Sequence, residues 1–328
     1  FIGEIMFKLM SKVKRLMKIH VEIENEYINH VKNYIPEKDF KYENIELSEN
    51  EYIQKNFFSI LMLLILDFNE IEDLKSLGLI IHAIRNVITN TDNIIDNENK
   101  GNLNIKKLEH PVLKNIMALL IANEILDLEL SKICKNENIK KIKENIVKSI
   151  YEIAKGEEIR EIKNKKIMNY RDVIDKIHTK IGGELLAISM VVPEELYKTE
   201  KIFIFKKALF EIGLSLQLLD DIVDIKEDYY ANTQNAFYSY LMDNNIEHSK
   251  IKIFVEDDKT CEDIEKLYEK LIEKSINQGL IGFEMFEKNG LEVGYKEGVS
   301  LMKFMFKNRG MKKEWKIYEK KTIKKKGK

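Results

Sequence analysis

Proline is nearly missing from this chain: 328 residues hold three, Pro36, Pro111 and Pro193. Glycine is sparse too, at 14. Inside a helix glycine costs about 1 kcal/mol and proline about 3 relative to alanine, so their scarcity argues for long, uninterrupted helices. Two cysteines, Cys134 and Cys261, cannot build a disulfide framework, and no spacing suggests a zinc site. A reducing compartment follows as the simpler expectation. The longest apolar run, residues 57–66, is about half of the ~20 residues a membrane span needs. No secretory signal is evident, so a cytoplasmic location is expected. Charge of one sign is lacking as well. Fifty-four Lys and Arg meet 55 Asp and Glu, for a net charge of −1, and no global field favours nucleic acid or membranes.

What the chain does have is 44% apolar and 33% charged residues, the balance of a globular protein. Helical periodicity runs almost throughout. It predicts helices over 2–34, 49–67, 70–98, 111–134, 138–161, 169–191, 200–229, 234–243, 262–278 and 282–307. No convincing alternating strand is found. The expectation is therefore all-α, a single large helical bundle over 1–328 with no second domain. It begins with an amphipathic helix, 1–34, with Ile2, Ile5, Met6, Leu9, Val13 and Leu16 on one side. It ends in a basic tail, 312–328, expected to fray into solvent. Any membrane contact is confined to these two segments.

Two acidic clusters stand out. Leu77, Ile80, Ile81, Ile84 and Ile88 fall at helical spacing, and continuing by fours gives Asp92 and then Asp96. That continuation predicts both carboxylates on the inward face. Leu209, Gly213 and Gln217 lead in the same way to Asp220, Asp221 and Asp224. Burying such charges costs several kcal/mol each unless they are paired or bound to metal. Hard, oxygen-rich sites suit Mg²⁺, which keeps waters and is completed by substrate phosphates. One acidic pair alone is more often surface charge; two on buried stripes of facing helices point to a metal site. His82 reads as a core or substrate-facing histidine, not a metal ligand, and Arg85 as solvated or ion-paired.

At these residues the sequence resembles the class I isoprenoid synthases, particularly the trans-polyprenyl diphosphate synthases. IHAIRNVITNTDNIIDNENKG is similar to that family's first aspartate-rich region, with Asp92-Asn93-Ile94-Ile95-Asp96 in place of DDxxD. GLSLQLLDDIVD is similar to the second, complete at Asp220, Asp221 and Asp224 and preceded by Gln217. AKGEEIRE resembles the GQxxD turn, and KIHTKIGGELL the Lys-Thr-Gly-x-Leu stretch. The resemblance implies an isoprenoid-synthase bundle with a central active-site cavity, working as a homodimer on an allylic prenyl diphosphate. It implies three Mg²⁺ ions held by Asp92, Asp96, Asp220, Asp221 and Asp224. It assigns substrate contacts to Lys180, which would bind diphosphate, and to Gln217, Asn93 and Ile88, the last where the family sets product length.

Three departures bear on the reaction. Asn93 replaces the middle aspartate, Arg-Arg-Gly shrinks to Lys100-Gly101, and the N-terminal Gly-Lys-Arg-x-Arg-Pro element survives at most as Lys55. The lost arginines are the family's grip on isopentenyl diphosphate, and a lysine does not replace a bidentate fork. LLDDIVDIKEDYYANTQNAFYSY also resembles the bacterial large-terpene synthases, through Glu227, Asp228, Asn235 and Tyr240. Those enzymes cyclise without a second substrate. These features favour cyclisation, while the matches around Gly156 and Lys180 favour chain elongation, which ranks first, with cyclisation second and a catalytically degenerate partner subunit third. No nucleic-acid partner is expected.

Overall fold

The computed structural model describes residues 2–42, 47, 51–52, 55–69, 71, 73–95, 101–161, 166–257, 261–291 and 293–326. They group into two compact units, Phe1–Glu144 and Asn145–Lys328.

The first unit contains α1 (Ile2–Lys32), β1 (Phe40–Tyr42), α2 (Phe57–Phe68), α3 (Leu74–Ile95), β2 (Leu103–Ile105) and α4 (Pro111–Ile133). Every residue from Ile60 to Leu66 on α2 is buried, as a helix apolar on all sides requires. Pro111 opens α4, where its missing N–H costs nothing. The two short strands correct the strand-free expectation. They pair antiparallel with Phe40 opposite Ile105 and Tyr42 opposite Leu103, all four buried. Three residues are too few for a period of two to register in sequence.

From α5 (Asn136–Arg160) the chain enters the second unit. Next comes a composite rod: α6 (Tyr170–Val173), a π-helix (Ile174–Glu184), α7 (Leu185–Ala187), a 3₁₀ turn (Ile188–Met190) and α8 (Val191–Tyr197). After it come α9 (Glu200–Val223), α10 (Ile225–Ala231), α11 (Ala236–Asp243), α12 (His248–Asp257), α13 (Glu262–Lys288), α14 (Tyr295–Asn308) and α15 (Lys312–Lys326). Thr199 caps α9 by accepting from the Ile202 N–H. Small residues let α13 lie close against α9. Ser215 Oγ donates to the Ser275 carbonyl at 2.6 Å and Ser275 Oγ to the Ser215 carbonyl at 2.8 Å, and a Cβ on Gly282 would sit 2.4 Å from the Ala208 carbonyl oxygen.

The all-α expectation holds, while several details differ, among them the split of the expected helix 200–229 at Asp224. The break expected near 280 falls instead at Gly290, whose φ of 85° takes the left-handed turn that ends α13. The helix α12 was not anticipated. The basic tail is no frayed coil from its start: Met311, Trp315 and Tyr318, spaced four and three apart, are buried, and Trp315 packs edge-on against Phe306 at 5.6 Å. Its many lysines mask that short apolar stripe in any composition average. Among the described residues no helix is long and apolar enough to cross a membrane.

Candidate active site

The second unit brings three separate sequence segments to one place. The π-helix crosses α9 with backbone against backbone: a Cβ on Gly213 would lie 2.2 Å from the Gly182 carbonyl oxygen. Gly156 on α5 makes room in the same way, since a Cβ there would meet Lys180 Cβ at 2.8 Å and Ile181 Cγ2 at 2.7 Å. AKGEEIRE, KIHTKIGGELL and GLSLQLLDDIVD thus meet through their glycines. The wide turn is visible at its end, where the Leu185 N–H reaches the Lys180 carbonyl five residues back. Such π segments are rare and recur at functional sites.

This crossing sets the side chains. His178 Nε2 lies 2.9 Å from Asp221 Oδ2, both groups buried. The same carboxylate accepts from the Ala236 N–H, and Gln217 Nε2 donates to its Oδ1 at 3.2 Å. Burial would raise Asp221, yet the charge and hydrogen bond of His178, the Ala236 N–H and Arg160 outweigh it and hold the carboxyl below its usual range. Asp221 is occupied within the protein, and its burial leaves Asp220 and Asp224 as the accessible carboxylates of the second cluster.

Asp220 and Asp224 are only half-buried. Burial pushes Asp220 up to about 6; Asp224 and Asp221 add to the rise and Arg309 opposes it. Asp224 is raised too, first by burial and then by Asp228 and Glu227. Two carboxylates whose charges are disfavoured by their surroundings form a seat for a cation. Arg309 Nη2 meets Asp220 Oδ1 at 2.8 Å. Arg309 ends α14, and the left-handed Gly310 behind it (φ 80°) turns the chain. Sequence reading missed this residue, because a lone arginine before a glycine carries no periodic or motif signal.

Lys180 pairs with Glu152 at 3.2 Å, one turn ahead of Gly156. The residues that resemble terpene synthases have other work. Asp228 accepts from Arg160 Nη2 at 2.9 Å and from Asn235 Nδ2 at 2.7 Å. Asn235 also caps α11 through the Tyr238 N–H at 3.0 Å. Glu227 is exposed, and Tyr240 and Tyr170 hold the Lys274 ammonium over their rings at 4.8 and 4.7 Å.

In the first unit, Asp92 is exposed and Asn93 buried, the reverse of the inward-facing expectation. The reason is geometric: at 3.6 residues per turn, each step of four advances the face by about 40°, so three steps rotate it by about 120°. The buried line instead alternates steps of three and four, through Ala83, Asn86, Asn90 and Asn93. Asn93 Nδ2 points to Asn115 Oδ1 at 3.4 Å. Asp96 and Lys100 lie outside the described residues. Ile88 is half-buried and Lys55 exposed. Arg85, half-buried, donates to Ser59 Oγ at 3.2 Å and Asn56 Oδ1 at 3.4 Å.

No protein-family model and no curated protein sequence matches the chain. Solved structures do. The geranylgeranyl pyrophosphate synthetase of the archaeon Geoglobus acetivorans is similar at 16% identity and a TM-score of 0.55, over 84% of this chain and 92% of that one. The octaprenyl pyrophosphate synthase of Helicobacter pylori is similar at 18% identity and 0.54, over 86% and 97%. The geranyltranstransferase of Thermotoga maritima gives 16% and 0.52, over 92% and 98%. At such identities the likeness is one of fold. This all-α chain has the isoprenoid-synthase fold, in the form seen in prenyl diphosphate synthases.

Proposed function

We propose that the chain is a Mg²⁺-dependent class I isoprenoid synthase that ionises an allylic prenyl diphosphate and extends it with isopentenyl diphosphate. The observation that carries this reading is the glycine-built convergence of Gly156, Lys180 and the Asp220–Asp224 cluster. Each of these segments resembles the family's own, and the fold brings the segments together. Asp220 and Asp224, the accessible carboxylates of the second cluster, would hold Mg²⁺. Bound Mg²⁺ would supply neutralisation of the charge that develops on departing pyrophosphate. Asp221 positions: through Gln217 and His178 it fixes the end of α9 on which Asp220 sits. Lys180, released from Glu152, would meet the diphosphate as a point charge. Cyclisation ranks behind, because Asp228 and Asn235 are buried and bonded to one another.

The test is incubation with Mg²⁺ and farnesyl or geranylgeranyl diphosphate, with and without isopentenyl diphosphate, followed by extraction. Longer diphosphates that need isopentenyl diphosphate support the proposal. Hydrocarbons formed without it would establish cyclisation, and no turnover at any prenyl length would leave a partner subunit.

A pH dependence follows from Asp220. Its raised value means that its contribution to apo stability is full below about 3.8 and lost as the pH rises through about 6. Metal needs the ionised form, so Mg²⁺ half-activation should tighten across that same interval. Arg309→Met removes a cation that holds Asp220 down and competes for its oxygen. Half-activation should then require more Mg²⁺ than wild type at pH 6 and no more at pH 8. Parallel profiles for the two proteins would remove Arg309 from the site.

The homodimer implied by the resemblance has a candidate surface on α4, where Leu113, Ile116 and Leu120 are exposed on one stripe. Leu113→Asp with Leu120→Asp is expected to halve the mass seen by light scattering. A wild-type monomer would end this reading.

A further inference from the structure

A second cluster of ligand-type side chains lies in the first unit. His20 and Glu24 stand one turn apart on α1, and His82 comes from α3; one donor atom of each lies within 4.8 Å of the others. All three are almost fully enclosed, at 2%, 4% and 2% exposure. Gly78, one turn before His82, lets α1 approach: a Cβ there would meet Ile23 Cδ1 at 2.2 Å. The cluster therefore sits where two long helices are pressed together.

Its hydrogen bonding is incomplete. Tyr52 Oη lies 2.6 Å from His20 Nδ1 and also donates to Glu24. Tyr42 Oη lies 2.8 Å from His82 Nε2. The other imidazole nitrogens, His20 Nε2 and His82 Nδ1, are buried with no hydrogen-bond partner. Cores seldom leave such atoms unsatisfied, and each costs about 1–3 kcal/mol. Two of them on rings set edge to face, 6.0 Å between centroids, next to a buried carboxylate, mark a place built for something else.

We propose that His20, Glu24 and His82 bind a divalent transition metal of the Zn²⁺ class, which ties α1 to α3. Two imidazoles and a carboxylate suit Zn²⁺ and not the all-oxygen preference of Mg²⁺, so the site is chemically distinct from the aspartates. Tyr52 and Tyr42 supply the outer hydrogen bonds that orient ligating histidines.

The test uses the full chain, stripped of metal, re-equilibrated with Zn²⁺ and analysed by mass spectrometry after desalting into Mg²⁺ buffer. About one Zn²⁺ per chain is expected, with a Tm higher than that of the stripped protein. Glu24→Gln and His82→Gln should bind Zn²⁺ at least about 100-fold more weakly and lose the Tm increment, whereas Asp220→Asn should keep both. Co²⁺ loaded into the wild type should show the intense visible bands of a tetrahedral site, a readout that needs no variant to fold. Zinc lost only in Asp220→Asn, or a Co²⁺ spectrum of purely octahedral type, would overturn the proposal.

Discussion

Asp220→Asn and Asp224→Asn are each expected to lower Mg²⁺-dependent pyrophosphate release by at least about 10³-fold, the scale of removing a group that meets developing charge. Stability should not fall with activity. Both carboxylates are raised by burial and by neighbouring carboxylates, Asp220 by Asp224 and Asp221 and Asp224 by Asp228 and Glu227, so a neutral amide of the same shape relieves repulsion in the apo protein. Thermal melts without metal should give a Tm equal to or above wild type, and added Mg²⁺ should no longer raise it. Asp221→Asn should behave in the opposite way. It removes the buried charge beside His178 and turns one of the two oxygens that accept from His178, Ala236 and Gln217 into an NH2 donor, so the Tm falls first and activity follows. A phosphate-release assay beside a melting curve separates these patterns. Activity of Asp220→Asn within about threefold of wild type would remove the metal assignment.

The same contrast shows what the sequence could disclose. Three acids within five residues were plain in Asp220, Asp221 and Asp224, but their division of labour was not. Asp221 is spent on His178, 43 positions away in sequence, and on the start of α11. Long-range partners of that kind leave no local pattern. The long helices were legible because their breakers are so few. The inward face of α3 was misread because equal steps of four drift around a helix, an error that grows with each step. Arg309 and the cluster of His20, Glu24 and His82 were invisible for a further reason. Each needs a chain reversal or a helix crossing before its members meet, and the glycines that permit them look like any others in a list.

Gly213, at the crossing of the π-helix and α9, offers the largest structural effect. Gly213→Val should destabilise the protein by about 3 kcal/mol or more, the upper end of ordinary overpacking. The atoms in the way are backbone: the Gly182 carbonyl oxygen at 2.2 Å from a new Cβ, its carbon at 2.8 Å and Gly183 Cα at 3.2 Å. A side chain could rotate aside; a carbonyl inside a helix cannot without losing its hydrogen bond. The π-helix and α9 must therefore separate, carrying His178 away from Asp221 and Lys180 away from the acidic cluster. A Tm lower by roughly 6 °C or more is expected, with loss of pyrophosphate release in the fraction that still folds. Gly183 tests the mechanism from the other side of the crossing, since a Cβ there meets the ring of Phe210 at 2.5 Å and not backbone. Gly183→Ala combined with Phe210→Leu should recover much of the stability lost by Gly183→Ala alone, while no change at Phe210 should rescue Gly213→Val. Equal melting of Gly213→Val and wild type would mean that the two helices do not touch, and the convergence on which the active-site reading rests would fall with it.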